Sequence, residues 1–263
     1  MAFHTVELSD PALTPAGVHF MTVKSAALRR RADLTFYVPS SSAPGPLPLV
    51  TVLHGIYGSH WAWLFKGGAH RVMERLIREE NLPPMMLVMP SDGLWGDGSG
   101  YVQHRDADYS SWILDEVPAA AALLAPAVAG SPRFVTGLSM GGYGAMRLGA
   151  LNPDRFSAIS AHSSATDLSQ LMHHVQEPAG DWLLAEPGPL AVVECIRAHA
   201  DRLPPLRFDC GTEDDLIEPN RQLHRDLESA GIAHEYGEFP GGHTWEYWHE
   251  HIADSLRFFG RCL

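Results

Sequence analysis

The sequence predicts an α/β fold in which a mostly parallel sheet carries helices on both faces. Three observations predict it. From Leu49 onward, short apolar runs alternate with stretches of helical character. The run Leu49-Val50-Thr51-Val52-Leu53 lacks a polar face, as expected of a central parallel strand covered on both sides. Further on, Phe134-Val135-Thr136 leads through Gly137-Leu138-Ser139-Met140-Gly141-Gly142 into a small-residue segment at 143–150, which reads as strand, sharp turn, helix. With 263 residues, 45% hydrophobic and 19% charged, the chain is long enough for one large α/β core and short for two, so 1–263 reads as a single domain.

Taken in order, 18–23 and 33–38 read as a leading pair of strands, with Arg29-Arg30-Arg31 as a solvated turn between them. A Pro/Ser-rich loop at 40–48 precedes the 49–53 strand, and His54-Gly55-Ile56-Tyr57-Gly58 follows it directly. Val72, Leu76 and Ile77 lie at helical spacing and place an amphipathic helix over 69–80. Pro83-Pro84 breaks the chain before a buried strand at 85–89. The long loop at 90–108 holds Trp95-Gly96-Asp97-Gly98-Ser99-Gly100-Tyr101, and loops of such length in a compact domain are usually functional. Its glycines lack the spacing and the following helix of a dinucleotide site, so it reads as a wall of the active site, with Trp95 and Tyr101 on the substrate.

Residues 109–128 are helical in character, with Pro118 as a kink or restart. After the 134–136 strand and its helix come a strand at 156–160 and an excursion at 161–202, expected as a small cap holding helical fragments at 168–176 and 190–200. A strand at 206–210, a helix opened by Pro219 and ending near Gly231, a last strand at 232–239 and a final helix to about Phe259 complete the chain.

The chemistry starts at Ser139. A serine at the tip of so tight a turn sits in strained backbone, and Gly137 and Gly141 let strand and helix approach. The helix N-terminus behind it offers N–H groups to a developing oxyanion. In this context G-x-S-x-G is the nucleophile elbow of the α/β-hydrolase fold. A serine hydroxyl needs a base, and the base needs an acid to orient it. In this fold the order is Ser, acid, His. Among the carboxylates after Ser139, Asp214 stands just past a strand end, ahead of its neighbours Asp215 and Glu213. Of 15 histidines, His243 follows the last strand behind Gly241-Gly242, where the base belongs. After the 49–53 strand, Gly55 lets the backbone approach a substrate, and the Ile56 N–H joins that of Met140 as oxyanion donor; Tyr57 is a further substrate contact.

Other classes are disfavoured. A net charge of -12 argues against nucleic acid as a partner, and no apolar stretch approaches membrane-spanning length. Cys195, Cys210 and Cys262 are odd in number and far apart, which reads as reduced thiols in the cytoplasm, and no leader is visible in the first residues. The histidines lack zinc spacing, so neither a metal nor another cofactor is expected. A homodimer is compatible with the sequence.

Leu53-His54-Gly55, Gly137-Leu138-Ser139-Met140-Gly141-Gly142-Tyr143-Gly144-Ala145, Cys210-Gly211-Thr212-Glu213-Asp214 and Gly241-Gly242-His243-Thr244-Trp245 together resemble the Putative esterase family. That family holds esterase D, S-formylglutathione hydrolases, tributyrin esterases, feruloyl esterases and mycolyltransferases. The resemblance implies Ser139, Asp214 and His243 as triad, with Ile56 and Met140 as oxyanion donors. The loop from Trp95 to Tyr101 also resembles one in S-formylglutathione hydrolases. Leu138 and the loop His54 to Gly58 differ from those hydrolases and pull toward the tributyrin-esterase branch. The expected activity is therefore that of a serine carboxylesterase on a small acyl ester or thioester, short acyl chains being implied by the resemblance. The rivals are an S-formylglutathione hydrolase, an acyltransferase to a sugar or lipid alcohol, and a non-catalytic interaction protein on the same scaffold.

Overall fold

The computed structural model describes residues 3–40, 45–178, 182, 185 and 188–263. Its centre is one nine-stranded sheet in the order β1-β2-β3-β5-β4-β6-β7-β8-β9. The first three strands, β1 (Val6–Leu8), β2 (Val18–Lys24) and β3 (Arg31–Tyr37), are antiparallel to one another, and β3 is antiparallel to β5 (Met86–Pro90). From β5 across β4 (Leu49–Leu53), β6 (Arg133–Gly137), β7 (Ala158–His162), β8 (Leu206–Gly211) and β9 (Glu235–Phe239) every pairing is parallel. This is the expected α/β-hydrolase architecture. The short exposed strand β1 was not legible in the sequence, because three residues at an edge carry too little pattern.

Helices cover both faces. On one lie α2 (Ala69–Glu80) and the last helix, here α9 (Trp245–Arg261), whose Val72, Met73, Leu76, Ile252 and Leu256 share a core cluster with Val50 and Val52. On the other lie α4 (Val117–Leu124), α5 (Met140–Leu151), α7 (Val192–Ala198) and α8 (Ile217–Ser229), packed in the cluster that holds Leu49 and Leu53. Successive residues of β4 thus point into opposite cores, which is why this strand reads as apolar on both faces.

Three boundaries differ from expectation for local reasons. The segment 109–128 begins as α3 (Tyr109–Ser111), widens into a π-turn at Trp112–Glu116 and resumes as α4. Pro118 cannot bond the carbonyl four residues back, and that carbonyl, on Leu114, instead accepts from the Arg133 and Arg155 guanidinium groups at 3.0 and 2.7 Å. Helix α8 starts at Ile217, so Pro219 occupies its third position. An N–H there has no intrahelical partner in any case, and the proline costs no bond. Strand β9 starts at Glu235, later than expected, because Ile232 still turns back on the preceding helix through its N–H to the Leu227 carbonyl at 2.9 Å.

The excursion at 161–202 lies partly outside the described residues. Its described helices, α6 (Leu168–Leu171) and α7, are shorter than expected, and Asp167 and Ala191 form an isolated bridge between them. Among the described residues no helix is long and apolar enough to cross a membrane.

Candidate active site

The chain runs from β4 to β5 on one side and then returns to place β6 on the other, so the loops after β4 and β6 diverge. Such a switch point opens a crevice at the carboxyl ends of the strands, where α/β proteins bind ligands. A cavity of about 380 Å³ lies there and is lined by Gly55, Ile56, Tyr57, Leu138, Ser139 and His243.

Ser139 connects β6 to α5 with φ 54° and ψ -118°, a left-handed conformation that a residue with a Cβ adopts only under strain. The glycines around it are required by contact. A Cβ on Gly137 would stand 2.5 Å from the Gly141 backbone, and one on Gly141 would collide with the Leu53 carbonyl oxygen. Loop and elbow therefore touch through bare backbone. The Gly141 N–H donates to the Leu138 carbonyl and the Tyr143 N–H to that of Ser139, while the Tyr57 and Gly58 N–H groups donate to Asp97 and Gly55. Among the described residues, the Ile56 and Met140 N–H groups have no backbone acceptor.

Asp214 follows β8 and is buried. His243 Nδ1 lies 3.1 and 2.9 Å from its two carboxylate oxygens. An ionised carboxylate only accepts, so Nδ1 carries the proton and Nε2 is left with a lone pair. Burial alone would raise the Asp214 carboxyl. The hydrogen bond and charge of His243, the Leu216 N–H and the Ser163 hydroxyl outweigh it and hold the carboxyl below its usual range. The neighbouring candidates stand elsewhere: Asp215 is exposed at the cavity rim, and Glu213 accepts from the Gly241 N–H at 2.8 Å. Ser139 and His243 share the cavity without a hydrogen bond between them, a contact that often closes only around substrate.

Two expected wall residues are not on the wall. Tyr101 is fully buried and donates its hydroxyl to the His54 carbonyl at 3.1 Å, while its ring fills the space beside Gly144. Trp95 packs against His104 and Trp182, with ring centres 4.9 and 5.7 Å away. The reason is that loop 90–108 tucks behind the loop at 54–58. A Cβ on Gly98 would meet Met140 Sδ at 2.6 Å, and the Gly100 N–H points at the same sulfur at 3.3 Å. The loop supports the site from behind. Asp92 organises it by accepting from the Leu94 and Ser99 N–H groups at 3.2 and 3.0 Å, and the Asp92 N–H donates to His54 Nε2 at 3.3 Å.

Tyr57 does reach the cavity. It has φ 59°, and its hydroxyl donates to the His174 carbonyl, tying the loop at 54–58 to the excursion. Trp61 also lines the cavity, whereas Trp63 is buried beneath it with its indole N–H on the Leu53 carbonyl. Trp245, Trp248 and Leu171 complete the apolar wall, and sequence reasoning missed them. The signal was available for the tryptophans, which stand two and five residues past His243, one helical turn apart.

A second chain of the same residue types lies under the sheet. His162 Nδ1 is 2.9 Å from Asp209 Oδ2, and His162 Nε2 is 2.7 Å from Ser255 Oγ. Tyr247 and Arg207 bond the same aspartate at 2.8 and 2.5 Å. All of His162, Asp209 and Ser255 are fully buried, away from the residues that line the cavity. Among the described residues, no group of three or more His, Cys, Asp or Glu side chains could hold a metal ion.

Chemistry of this kind on a sheet of this order is that of an α/β-hydrolase acting through a serine. Residues 25–259 match the model of the Putative esterase family, and the chain belongs to that family. It is 26% identical over 234 residues to an acetyl esterase of Caldicellulosiruptor saccharolyticus, covering 82% of this chain and 84% of that one. A solved ferulic acid esterase superposes with a TM-score of 0.81 at 25% identity, covering 94% and 98% of the two chains. An S-formylglutathione hydrolase from Staphylococcus aureus shares the fold, with a TM-score of 0.76 at 17% identity over 92% and 97%. The protein is an esterase, a hydrolase of ester bonds.

Proposed function

We propose that Ser139, His243 and Asp214 are the triad of this esterase, acting on short-chain acyl esters of small molecules. The observation that carries the reading is the His243 Nδ1 contact to buried Asp214 at 2.9 Å, beside a cavity that also holds strained Ser139. His243 Nε2 accepts the Ser139 proton as Oγ attacks the acyl carbonyl, and Asp214 stabilises the imidazolium. The Ile56 and Met140 N–H groups receive the oxyanion. Collapse expels the alcohol with the proton from His243, and a water activated by the same base releases the acid. Tyr57 and Gly55 contact the substrate, while Trp95 and Tyr101 act only through the loops they support. A cavity of about 380 Å³ with Tyr57, Trp61, Trp245 and Trp248 on its wall suits a small acyl group better than a long chain. Three free cysteines favour the cytoplasm, and the working form is a monomer or homodimer with no nucleic acid or membrane partner.

The test is the initial rate on p-nitrophenyl esters from acetate to laurate, with S-formylglutathione alongside and Ser139→Ala as control. A maximum at the short esters, absent in the variant, is expected. A dominant thioester rate would move the substrate to S-formylglutathione. A new ester in the presence of added alcohol would move the activity to transfer. Equal rates in both proteins would remove Ser139 from the site.

A further inference from the structure

The Ile56 N–H stands between two peptides that the fold holds in place. In a trans peptide the carbonyl and the following N–H point in opposite directions. The Asp92 N–H already occupies His54 Nε2, so Nδ1 carries the ring proton and donates it to the Gly55 carbonyl at 2.7 Å. The Gly58 N–H donates to the same carbonyl at 3.1 Å. With the Gly55 oxygen held from that side, the Ile56 N–H is turned the other way, and both residues line the cavity. The next peptide is fixed from loop 90–108, where the Asp97 carbonyl accepts the Tyr57 N–H at 2.8 Å. Gly98 brings that loop closer still, since a Cβ there would meet Ile56 Cγ2 at 3.1 Å as well as Met140.

Asp97 has a second set of bonds, and they lead to the excursion. Its Oδ2 accepts the Gln176 N–H at 2.8 Å, and its own N–H donates to Glu177 Oε2 at 3.2 Å. Gly96 makes room for this exchange, because a Cβ there would stand 2.4 Å from the Glu177 carboxylate. Two residues before Gln176, the His174 carbonyl accepts the Tyr57 hydroxyl. Hydrogen bonds thus close a ring through the segments 54–58, 96–98 and 174–177. Asp97 does not line the cavity, whereas Leu171 and His174 of the excursion do. We propose that Asp97 is a positioning residue that ties the excursion to the loop at 54–58 and so keeps the Ile56 N–H aimed at the oxyanion. This rests on Ile56 being an oxyanion donor. The wall that receives the substrate and the donor that receives its charge are then one unit.

The Asp97 carboxylate can be removed without touching the cavity. In Asp97→Ala, kcat on p-nitrophenyl acetate is expected to fall about tenfold with KM unchanged, less than the loss of about 10²–10³ when a donor is removed outright. A short alkyl trifluoromethyl ketone reads the oxyanion site directly. Ser139 Oγ adds to its carbonyl carbon, the hydroxyl proton passes to His243, and the ketone oxygen becomes an oxyanion. Its inhibition constant should rise by the same factor as kcat falls. Asp97→Asn keeps an oxygen for the Gln176 N–H and should bring both values back to within about twofold of wild type. Glu177→Ala opens the same clasp from its other end, so the double variant should lose less than the product of the single losses. A wild-type kcat in folded Asp97→Ala, a loss confined to KM, an unchanged ketone constant, no rescue by Asp97→Asn, or a fall in activity that tracks lost folded protein would each overturn the proposal. Replacing the Gly55–Ile56 amide by an ester removes the donor N–H and keeps the side chain. A wild-type rate in that protein would remove Ile56 from the oxyanion site, whatever Asp97 does. A slow rate there beside a wild-type rate in Asp97→Ala would overturn the coupling alone.

Discussion

This fold holds two Ser, His and Asp chains, and their central contacts have the same length. His243 to Asp214 and His162 to Asp209 are both 2.9 Å. Only one opens onto the cavity. The His243 ring is 36% exposed and lines a cavity, while the His162 ring is 0% exposed. Ser139 sits at a strained turn ahead of a helix, and among the described residues the Met140 N–H that opens that helix has no backbone acceptor. Ser255 lies within α9, where its Oγ is 2.6 Å from Ser160 Oγ and backbone donors are taken up by the helix. Hydrogen-bond geometry thus defines a polar chain, and access plus unpaired donors turn it into a site.

The sharpest way to break this comparison is to remove each serine. Ser139→Ala should lower kcat on a short ester by at least about 10⁴-fold with no change in melting temperature. Ser255→Ala should leave kcat within about threefold. It strips His162 Nε2 of its partner, which costs about 1–3 kcal/mol and lowers Tm by several degrees. The reverse pattern in paired kinetic and melting measurements would mean that the buried chain is the working one.

The aspartates extend the contrast. Asp214→Asn should cost about 10³–10⁴ in kcat, because an amide can hold His243 in the wrong tautomer. Asp209→Asn should instead weaken the fold, since Arg207 is nearly buried and would lose the carboxylate it bonds at 2.5 Å. Breaking a buried pair in this way costs about 3–5 kcal/mol. Activity per folded molecule should remain near wild type, as read by active-site titration alongside chemical denaturation.

What the sequence disclosed follows the same division. The elbow, the β4 strand and helix α2 were legible because each is dictated by its neighbours in the chain: glycines where backbones touch, an apolar run with two buried faces, a helical stripe. The roles of Gly137 and Gly141 could be read before their contacts were seen. Trp95 and Tyr101 were misplaced because which side of a loop faces a cavity depends on what the loop leans against, here Met140 and Gly144. The chain of Asp209, His162 and Ser255 left no trace, since its members come from two strands and a helix far apart in sequence.

The smallest effect expected concerns acid. Burial alone would raise the Asp209 carboxyl, but the charge and hydrogen bond of His162, then Arg207 and Tyr247, outweigh it and hold it well below the usual carboxylate range. A depressed folded pKa contributes stability that is complete above the unfolded value of about 3.9 and is lost as pH falls toward the folded one. Wild-type Tm should therefore decline below about pH 4. Asp209→Asn lacks that carboxylate and starts lower, so its curve should be flatter and the gap to wild type should narrow between about pH 5 and pH 3. Asp214 is held down in the same direction by His243, so Asp214→Asn should narrow its own gap in the same window. The narrowing should be greater for Asp209, whose partners include the Arg207 guanidinium. Parallel melting curves for wild type and Asp209→Asn across this range would show that the buried chain is held by packing alone, and its likeness to the open triad would end at geometry.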